Sequence, residues 1–477
     1  MIDFDRFSTF SALLERWRRD RPEHPAIVQN GASVTWSELA ALAHDLEISL
    51  QRQGFEPGDR LMVNVPDSPL LVAAIAALDA LRGIYVPVNI KLHAAEVDTI
   101  AATTGARFIL RDGAVTPLDR PPCDWLAAGP TGKHRLEQDF AVGITSATTG
   151  ASKAIVVNQF SVLSTGNELA AAMQLGHADR IATLVPLTSH FNLCSSIPAL
   201  FHTGATLVLG APKTGAVEWA ALQGATTLVG VPTNFVQMLR DGYAAPGLRA
   251  VVAGSVCDEW VVRGVRDRLG ISLCNHYGMS ECGGISTVRL DDMESDIVFR
   301  STGRPFPWVE TRVENGEILV RTPGVFRSAL TERAEMQKRI TADGWLHTGD
   351  LGSIGPSGEI RIAGRSGDMA IRAGNNVFFA EIETVLRSSP AVGDVVAFSL
   401  PDDLLGEALC ACVVPKDGAV PSAVDLLAFA AGRLPAFKVP DYLAFVPSIE
   451  TTVNGKVLRR SMQSRAQANT WPLHSRA

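Results

Sequence analysis

Between residues 180 and 255, four short apolar runs, "RIATLVPL", "ATLVLG", "TTLVGVP" and "RAVVAGS", recur with a helical pattern between each pair. No other feature restricts the architecture so strongly. Strands that are apolar along their whole length must be covered on both faces. An intervening helix provides one cover while returning the chain to start a parallel neighbour. The first part of the chain alternates in the same way: "FSTFSALLERWRRD" reads as helix, "RLMVNV" as strand, "LLVAAIAALDAL" as helix and "IYVPVN" as strand. The sequence therefore predicts an α/β fold, with parallel-rich sheets carrying helices on their faces.

The texture changes twice further on. From about Gly316, "GEILVRT" and "GEIRIAGR" are shorter and more polar, which predicts a β-rich subdomain. After Asp368, "AEIETVLRSS", "DVVAFSLPD", "EALCACVVP" and "AVDLLAFAAGRL" predict a small α+β unit of its own. The tail after Met462 shows no periodicity and is expected to be mobile. Neither an internal repeat nor a low-complexity tract is visible.

Composition narrows the function classes. A chain of 477 residues, 46% hydrophobic and 19% charged, has the length and apolar content for two or three packed domains. A net charge of -7 argues against a broad nucleic-acid surface, which needs a basic stripe. Seven cysteines without a CxxC pair suggest reduced thiols, hence a cytoplasmic protein. The start, "MIDFDRFSTF", has no signal-peptide pattern. The most apolar run, residues 70–81, is too short to span a bilayer and carries Asp79. Neither membrane nor nucleic acid is expected as a partner.

The stretch "ITSATTGASKAI" (144–155) concentrates hydroxyls, small residues and one lysine between apolar flanks. Successive backbone N–H groups in such a loop can converge on an anion, with hydroxyls and the lysine adding donors and charge. The lysine follows Gly150 by three residues, so the spacing is not that of GxxxxGK[ST]. A solvated turn and a polyphosphate loop both fit these residues.

Five further segments follow: "NHYGMSECGG" (275–284), "GWLHTGDLG" (344–352), "GRSGDMAIRAGNNVFFAEIE" (364–383), "LPAFKVP" (434–440) and "NGKVLRR" (454–460). In this order they resemble the adenylate-forming superfamily of acyl-CoA synthetases, luciferases and peptide-synthetase adenylation domains, most closely the acyl-CoA synthetases. The resemblance runs along nearly the whole chain. It implies a large N-terminal domain, 1–367, and a small mobile C-terminal domain, 368–477, with the hinge at Asp368.

What it implies about chemistry falls on particular residues. Thr145, Ser146, Thr148, Thr149, Gly150 and Lys153 match the loop that closes over the β- and γ-phosphates of ATP. Tyr277, flanked by Gly278, matches the aromatic that lies against adenine. Ser280 matches a phosphate-contacting hydroxyl and Glu281 the carboxylate that holds Mg2+. Gly254 and Ser255 match the other wall of the adenine site. Asp350 matches the carboxylate that accepts from both ribose hydroxyls, and Arg365 the arginine that reaches the ribose and phosphates. Lys456 matches the mobile lysine that meets the carboxylate and the α-phosphate. A positioned cation there stabilises charge that grows as two anions react.

For the acid itself, His190 matches a histidine or aromatic of the acyl pocket, with a role at the catalytic centre. A satisfied core histidine is the plainer alternative. Asn192, Asn234 and Gly283 are further pocket positions. Phe191 stands where amino-acid-activating members keep an aspartate, which argues against an α-amino acid unless the register slips onto Asn192.

Departures from the pattern are also informative. Ala147 and Ser152 replace a usual Gly and Pro in the phosphate loop without removing a donor. Ala373–Gly374 replaces the Gly-Gly of the acceptor tunnel, Phe379 a Pro, Ser399 a Gly and Glu450 a Pro. The resemblance thus implies an acid–thiol ligase using ATP and Mg2+, with a small carboxylic acid as substrate and coenzyme A as acceptor. A carrier protein, an amine or another small nucleophile is the alternative acceptor. A non-catalytic nucleotide-binding homologue is the alternative of another class.

Overall fold

The computed structural model describes residues 4–119, 134–145, 153–212, 214–326, 328–331, 333–416, 418–451 and 457–476. The four runs that dominate the sequence become the strands Arg180–Thr183, Thr206–Leu209, Thr227–Gly230 and Arg249–Val252 of a nine-stranded sheet. Those strands pair in parallel with one another, with Pro25–Gln29 at one side and with Ser272–Met279 at the other. Antiparallel strands close both edges. A second sheet of seven strands has a parallel centre built from Asp139–Thr145, Ile84–Pro87, Arg60–Asn64 and Phe108–Arg111.

The helices that cover these sheets start where their chemistry allows. Thr9 accepts from the Ala12 N–H ahead of the helix Phe10–Asp20, and Thr35 forms a capping box with Glu38 ahead of Trp36–Arg52. Pro69 occupies the first turn of Pro69–Leu81, where its missing N–H costs nothing. Asp79, the charge inside that apolar helix, is buried and fully engaged. It accepts from Ser11 N–H at 2.6 Å, Gln159 Nε2 at 2.6 Å and Arg135 at 2.9 Å. A buried carboxylate is tolerable only with partners of this kind, so the run is a core helix. No helix among the described residues is long and apolar enough to cross a membrane.

The more polar β texture forms a separate antiparallel sheet of Glu310–Glu314, Glu317–Arg321, Leu346–Ile354 and Ile360–Arg365. Beyond it, the hairpin Met369–Arg372 with Asn375–Phe378 leads into a four-stranded sheet built on Val392–Asp402 and Gly406–Pro415. Helices Phe379–Arg387 and Ala423–Ala431 pack there around their own apolar cluster. This small unit rests on the large one through Thr384 Oγ1, which donates to Asp258 at 2.6 Å, and Arg240, which donates to the Gly393 carbonyl at 2.7 Å.

The expected mobile tail is instead structured. Helix Arg459–Gln467 buries Met462 and Ala466, Trp471 joins the same cluster, and His474–Ser475 pairs with Tyr442 and Leu443. One tryptophan and one methionine bury enough apolar surface to fix a segment that has no periodic pattern.

Candidate active site

Several of the sequence candidates gather beyond the carboxyl ends of the parallel strands, where open α/β sheets collect ligands. Strand Arg249–Val252 ends just before Gly254, whose φ of +92° is readily available only to glycine. Gly254 and Ser255 are exposed there. The neighbouring strand Ser272–Met279 carries Tyr277 and folds back through residues 280–282 into Gly283–Thr287. Gly278 permits that tight return: a Cβ on it would stand 2.7 Å from the Gly283 carbonyl oxygen.

One hydrogen-bonded network joins three of the sequence candidates. The Tyr277 hydroxyl donates to Asp350 Oδ2 at 2.6 Å, and Arg365 Nε donates to Oδ1 at 2.8 Å. The Asp350 backbone N–H donates to Thr348 Oγ1 at 3.0 Å. Asp350 is 3% exposed. Burial, then the nearby Asp350 charge, hold the Tyr277 phenol well above its ordinary pKa, so it stays a donor. A carboxylate has about four acceptor positions, and these two contacts leave capacity for a ligand diol.

Glu281 sits in the hairpin turn of the same strand pair, its carbonyl accepting from Phe326 N–H at 2.7 Å. Its carboxylate is paired with Arg339 at 2.6 Å. The other nitrogens of Arg339 donate to the His347 carbonyl at 3.1 and 2.9 Å and to the Thr348 carbonyl at 3.2 Å. Sequence reasoning did not find Arg339, because a cation just past a short charged helix reads as an ordinary surface residue.

His190 opens the helix His190–Cys194 and faces the strand that leads to the Ser/Thr-rich loop. A Cβ on Gly143 would stand 3.3 Å from its Nδ1, so that glycine makes room for the ring. Among the described residues the buried Nδ1 has no hydrogen-bond partner, and Nε2 lies 3.5 Å from Cys194 Sγ. Burial pushes the pKa down to about 4, only partly opposed by Glu281, so the ring is neutral at ordinary pH.

Other candidates fall into two groups. Asn192 and Gly283 are spent on packing. The Asn192 amide is consumed by Thr183, Ser196 and the carbonyls of Val185 and Pro186, while Gly283 lies flat against helix Gln159–Ala172, 2.7 Å from Cβ position to the Ser161 carbonyl. Phe191 stacks toward His276 with centroids 6.3 Å apart. Asn234 uses Oδ1 to cap the Val231 N–H at 2.9 Å.

Four of the phosphate-loop residues, Ser146, Thr148, Thr149 and Gly150, lie outside the described residues, as do Ala147, Ser152 and Lys456. The backbones of Thr145 and Lys153 are paired across the two strands that flank this loop. Ser280 occupies the turn beside Glu281.

At the small unit, Ala373 and Gly374 form the exposed tip of a two-residue hairpin, with φ of +47° and +79°. A turn that needs two left-handed residues suits Gly-Gly, and the alanine costs about 1 kcal/mol here. Asp368 pairs with Arg459 at 3.3 Å and its carbonyl accepts from Phe379 N–H at 3.2 Å, both on the small unit, while its own N–H donates to the Arg365 carbonyl of the large one at 3.0 Å. Asp368 is thus bonded to both units at their junction.

Residues 14–329 match the AMP-binding enzyme family, and residues 381–456 match the AMP-binding enzyme C-terminal domain. The chain belongs to the AMP-binding enzyme family. Among its relatives is a substituted-indenyl propanoyl:CoA ligase of Mycobacterium tuberculosis, 28% identical over 95% of this chain and 98% of that protein. A feruloyl-CoA synthase from an Amycolatopsis species is 27% identical over 94% of this chain and 97% of its own length. ATP-bound MatB from Rhodopseudomonas palustris shares the fold with a TM-score of 0.83 at 23% identity, covering 96% of this chain and 99% of the other.

Three buried imidazoles give this AMP-binding enzyme a defined acid limit. His190, His202 and His276 each have a pKa lowered by burial to about 4. His202 and His276 bond the carbonyls of Leu163 and Ser286 at 3.1 and 2.9 Å. Their folded pKa lies below the unfolded value, so the unfolded chain takes up protons that the native one refuses. Stability is then intact above about pH 6.5 and lost as pH falls toward 4. Urea unfolding at pH 7 and pH 5 should differ by about 2 kcal/mol per ring. A flat profile across that window would show that the rings are not held neutral.

Proposed function

We propose that this AMP-binding enzyme activates a carboxylic acid with ATP, releasing pyrophosphate and forming an acyl-adenylate, then passes the acyl group to the thiol of coenzyme A. The observation that carries this reading is the Tyr277–Asp350–Arg365 network, with the Glu281 charge acting on the same arginine. A flat aromatic, a buried carboxylate with unused acceptor capacity and a guanidinium suit a base, a ribose diol and a phosphate in that order.

In the first step a carboxylate oxygen attacks the α-phosphorus and the bond to pyrophosphate breaks. Thr145, Ser146, Thr148, Thr149, Gly150 and Lys153 are assigned to the departing phosphates, and Lys456 to the charge spreading over the α-phosphoryl oxygens. Glu281 suits Mg2+. It is a hard oxygen donor of the kind that divalent magnesium prefers. Bound there, the ion would neutralise phosphate charge. In the second step the thiol sulfur attacks the acyl carbon, AMP leaves, and the thiol proton passes to solvent. Between the two, rotation at Asp368 would withdraw Lys456 and bring the Ala373–Gly374 tip toward the Tyr277–Asp350–Arg365 network.

The acid is read from His190 and Phe191. A neutral imidazole and an apolar ring suit an acyl group without charge near the carboxyl end, and an α-ammonium would find no carboxylate at position 191. The test is a hydroxamate-trapping screen over aromatic, short aliphatic, dicarboxylic and amino acids, run with and without coenzyme A. An uncharged acid should give hydroxamate with ATP alone and a thioester when coenzyme A is added. Hydroxamate that forms undiminished while coenzyme A is not acylated would redirect the acceptor to a carrier protein or an amine. ATP binding without hydroxamate from any acid would leave only a nucleotide-binding protein.

A further inference from the structure

The carboxylate assigned to the metal is already paired with a cation. Arg339 reaches Glu281 with one terminal nitrogen at 2.6 Å. The remaining two nitrogens are committed to backbone carbonyls of His347 and Thr348, on the strand that also bears Asp350. A guanidinium held by three further hydrogen bonds to main chain is not a loose surface charge. Its side chain is 26% exposed and that of Glu281 17%. The guanidinium is fixed and directed at the carboxylate that would receive the divalent ion.

We propose that Arg339 is a resident counter-cation of the metal position, holding Glu281 in place when no nucleotide is bound and reducing how much ATP binding depends on Mg2+. The inference rests on the reading of the Tyr277–Asp350–Arg365 network as part of an ATP site. Three anchors keep the guanidinium where it is when a ligand arrives. Glu281 then offers the ion a carboxylate that is already half neutralised, and the ion meets a neighbouring positive charge. Without the ion, the same guanidinium still offsets part of the phosphate charge. Both effects shrink the gap between ATP affinity with and without Mg2+. Arg339 is in this sense a positioning residue, acting through Glu281.

The quantity that tests this is a coupling: the ATP dissociation constant in EDTA divided by that in excess Mg2+, measured by calorimetry on the full chain. Replacing the guanidinium by an isosteric apolar chain, Arg339→Met, should raise this ratio about tenfold, mainly by weakening metal-free binding. Arg339→Lys keeps a charge without the anchoring fork and should fall between the two. A purely structural role for Arg339 would change both dissociation constants together and leave the ratio where it was. A ratio within twofold of the wild type, or a smaller one, in the Met variant overturns the proposal. Should the Met variant not fold, Arg339→Gln, which can still donate to the His347 carbonyl, is read in the same way. Failure of the wild type to bind ATP at all would instead refute the nucleotide site, so the two failures are told apart.

Discussion

Lys456→Ala is expected to lower acid-dependent pyrophosphate exchange by about two to three decades, while the KM for ATP moves little. The asymmetry follows from when the charge is needed. In the proposed mechanism the Asp350 network and the Ser/Thr-rich loop hold ground-state ATP, whereas the extra negative charge at the α-phosphorus appears only as the carboxylate attacks. Thr451 and Val457 are bridged and Leu458 N–H donates to the Glu450 carbonyl at 2.8 Å, on either side of the segment that carries Lys456. Immediately after them Arg459 ties helix Arg459–Gln467 to Glu383 and Asp368. A comparable loss of kcat with unchanged thioester formation from preformed acyl-adenylate would place the lysine in the first step alone. Exchange at the wild-type rate would remove Lys456 from the mechanism.

The second large effect is expected at Asp350. Asp350→Ala strands the Tyr277 hydroxyl and the Arg365 guanidinium at once. Losing the acceptor of a buried donor and one partner of a half-buried ion pair costs about 2–3 kcal/mol of stability. ATP binding should weaken about a hundredfold, since two charge-assisted hydrogen bonds to a diol are lost together with the fixed tilt of the Tyr277 ring. Asp350→Asn keeps the volume and one acceptor, and should recover most of the stability but little of the affinity. Thermal unfolding and ATP calorimetry on the two variants separate the contributions. ATP affinity at the wild-type level in Asp350→Ala would dismiss the ribose assignment.

Local patterns carried the architecture a long way. The runs around residues 181, 207, 228 and 250 had to be parallel strands because each is apolar on both faces, and each is one. The polar alternation near residues 318 and 360 became the separate antiparallel sheet for the same reason in reverse. Pattern failed at the C-terminal tail, where Met462 and Trp471 pack without any period to announce them. At the site, the residue types of Tyr277, Glu281, Asp350 and Arg365 were legible, and the fold draws Tyr277, Asp350 and Arg365 into direct contact. The packing of Asn192 against Thr183 and Ser196, and of Gly283 against Ser161, depends on the opposing helix and turn.

What the sequence by itself determined is the order of elements, the α/β plan of parallel-rich sheets and, through the family resemblance, the set of side chains able to handle a nucleotide, because periodicity and side-chain chemistry carry these. What only the tertiary structure decided is pairing across distance. Arg339 on Glu281, Tyr277 on Asp350, and Asp368 gripped by Arg459 join residues 58, 73 and 91 positions apart. Such contacts are set by how sheets and turns pack in space, and electrostatic partners chosen that way leave no local trace in the chain.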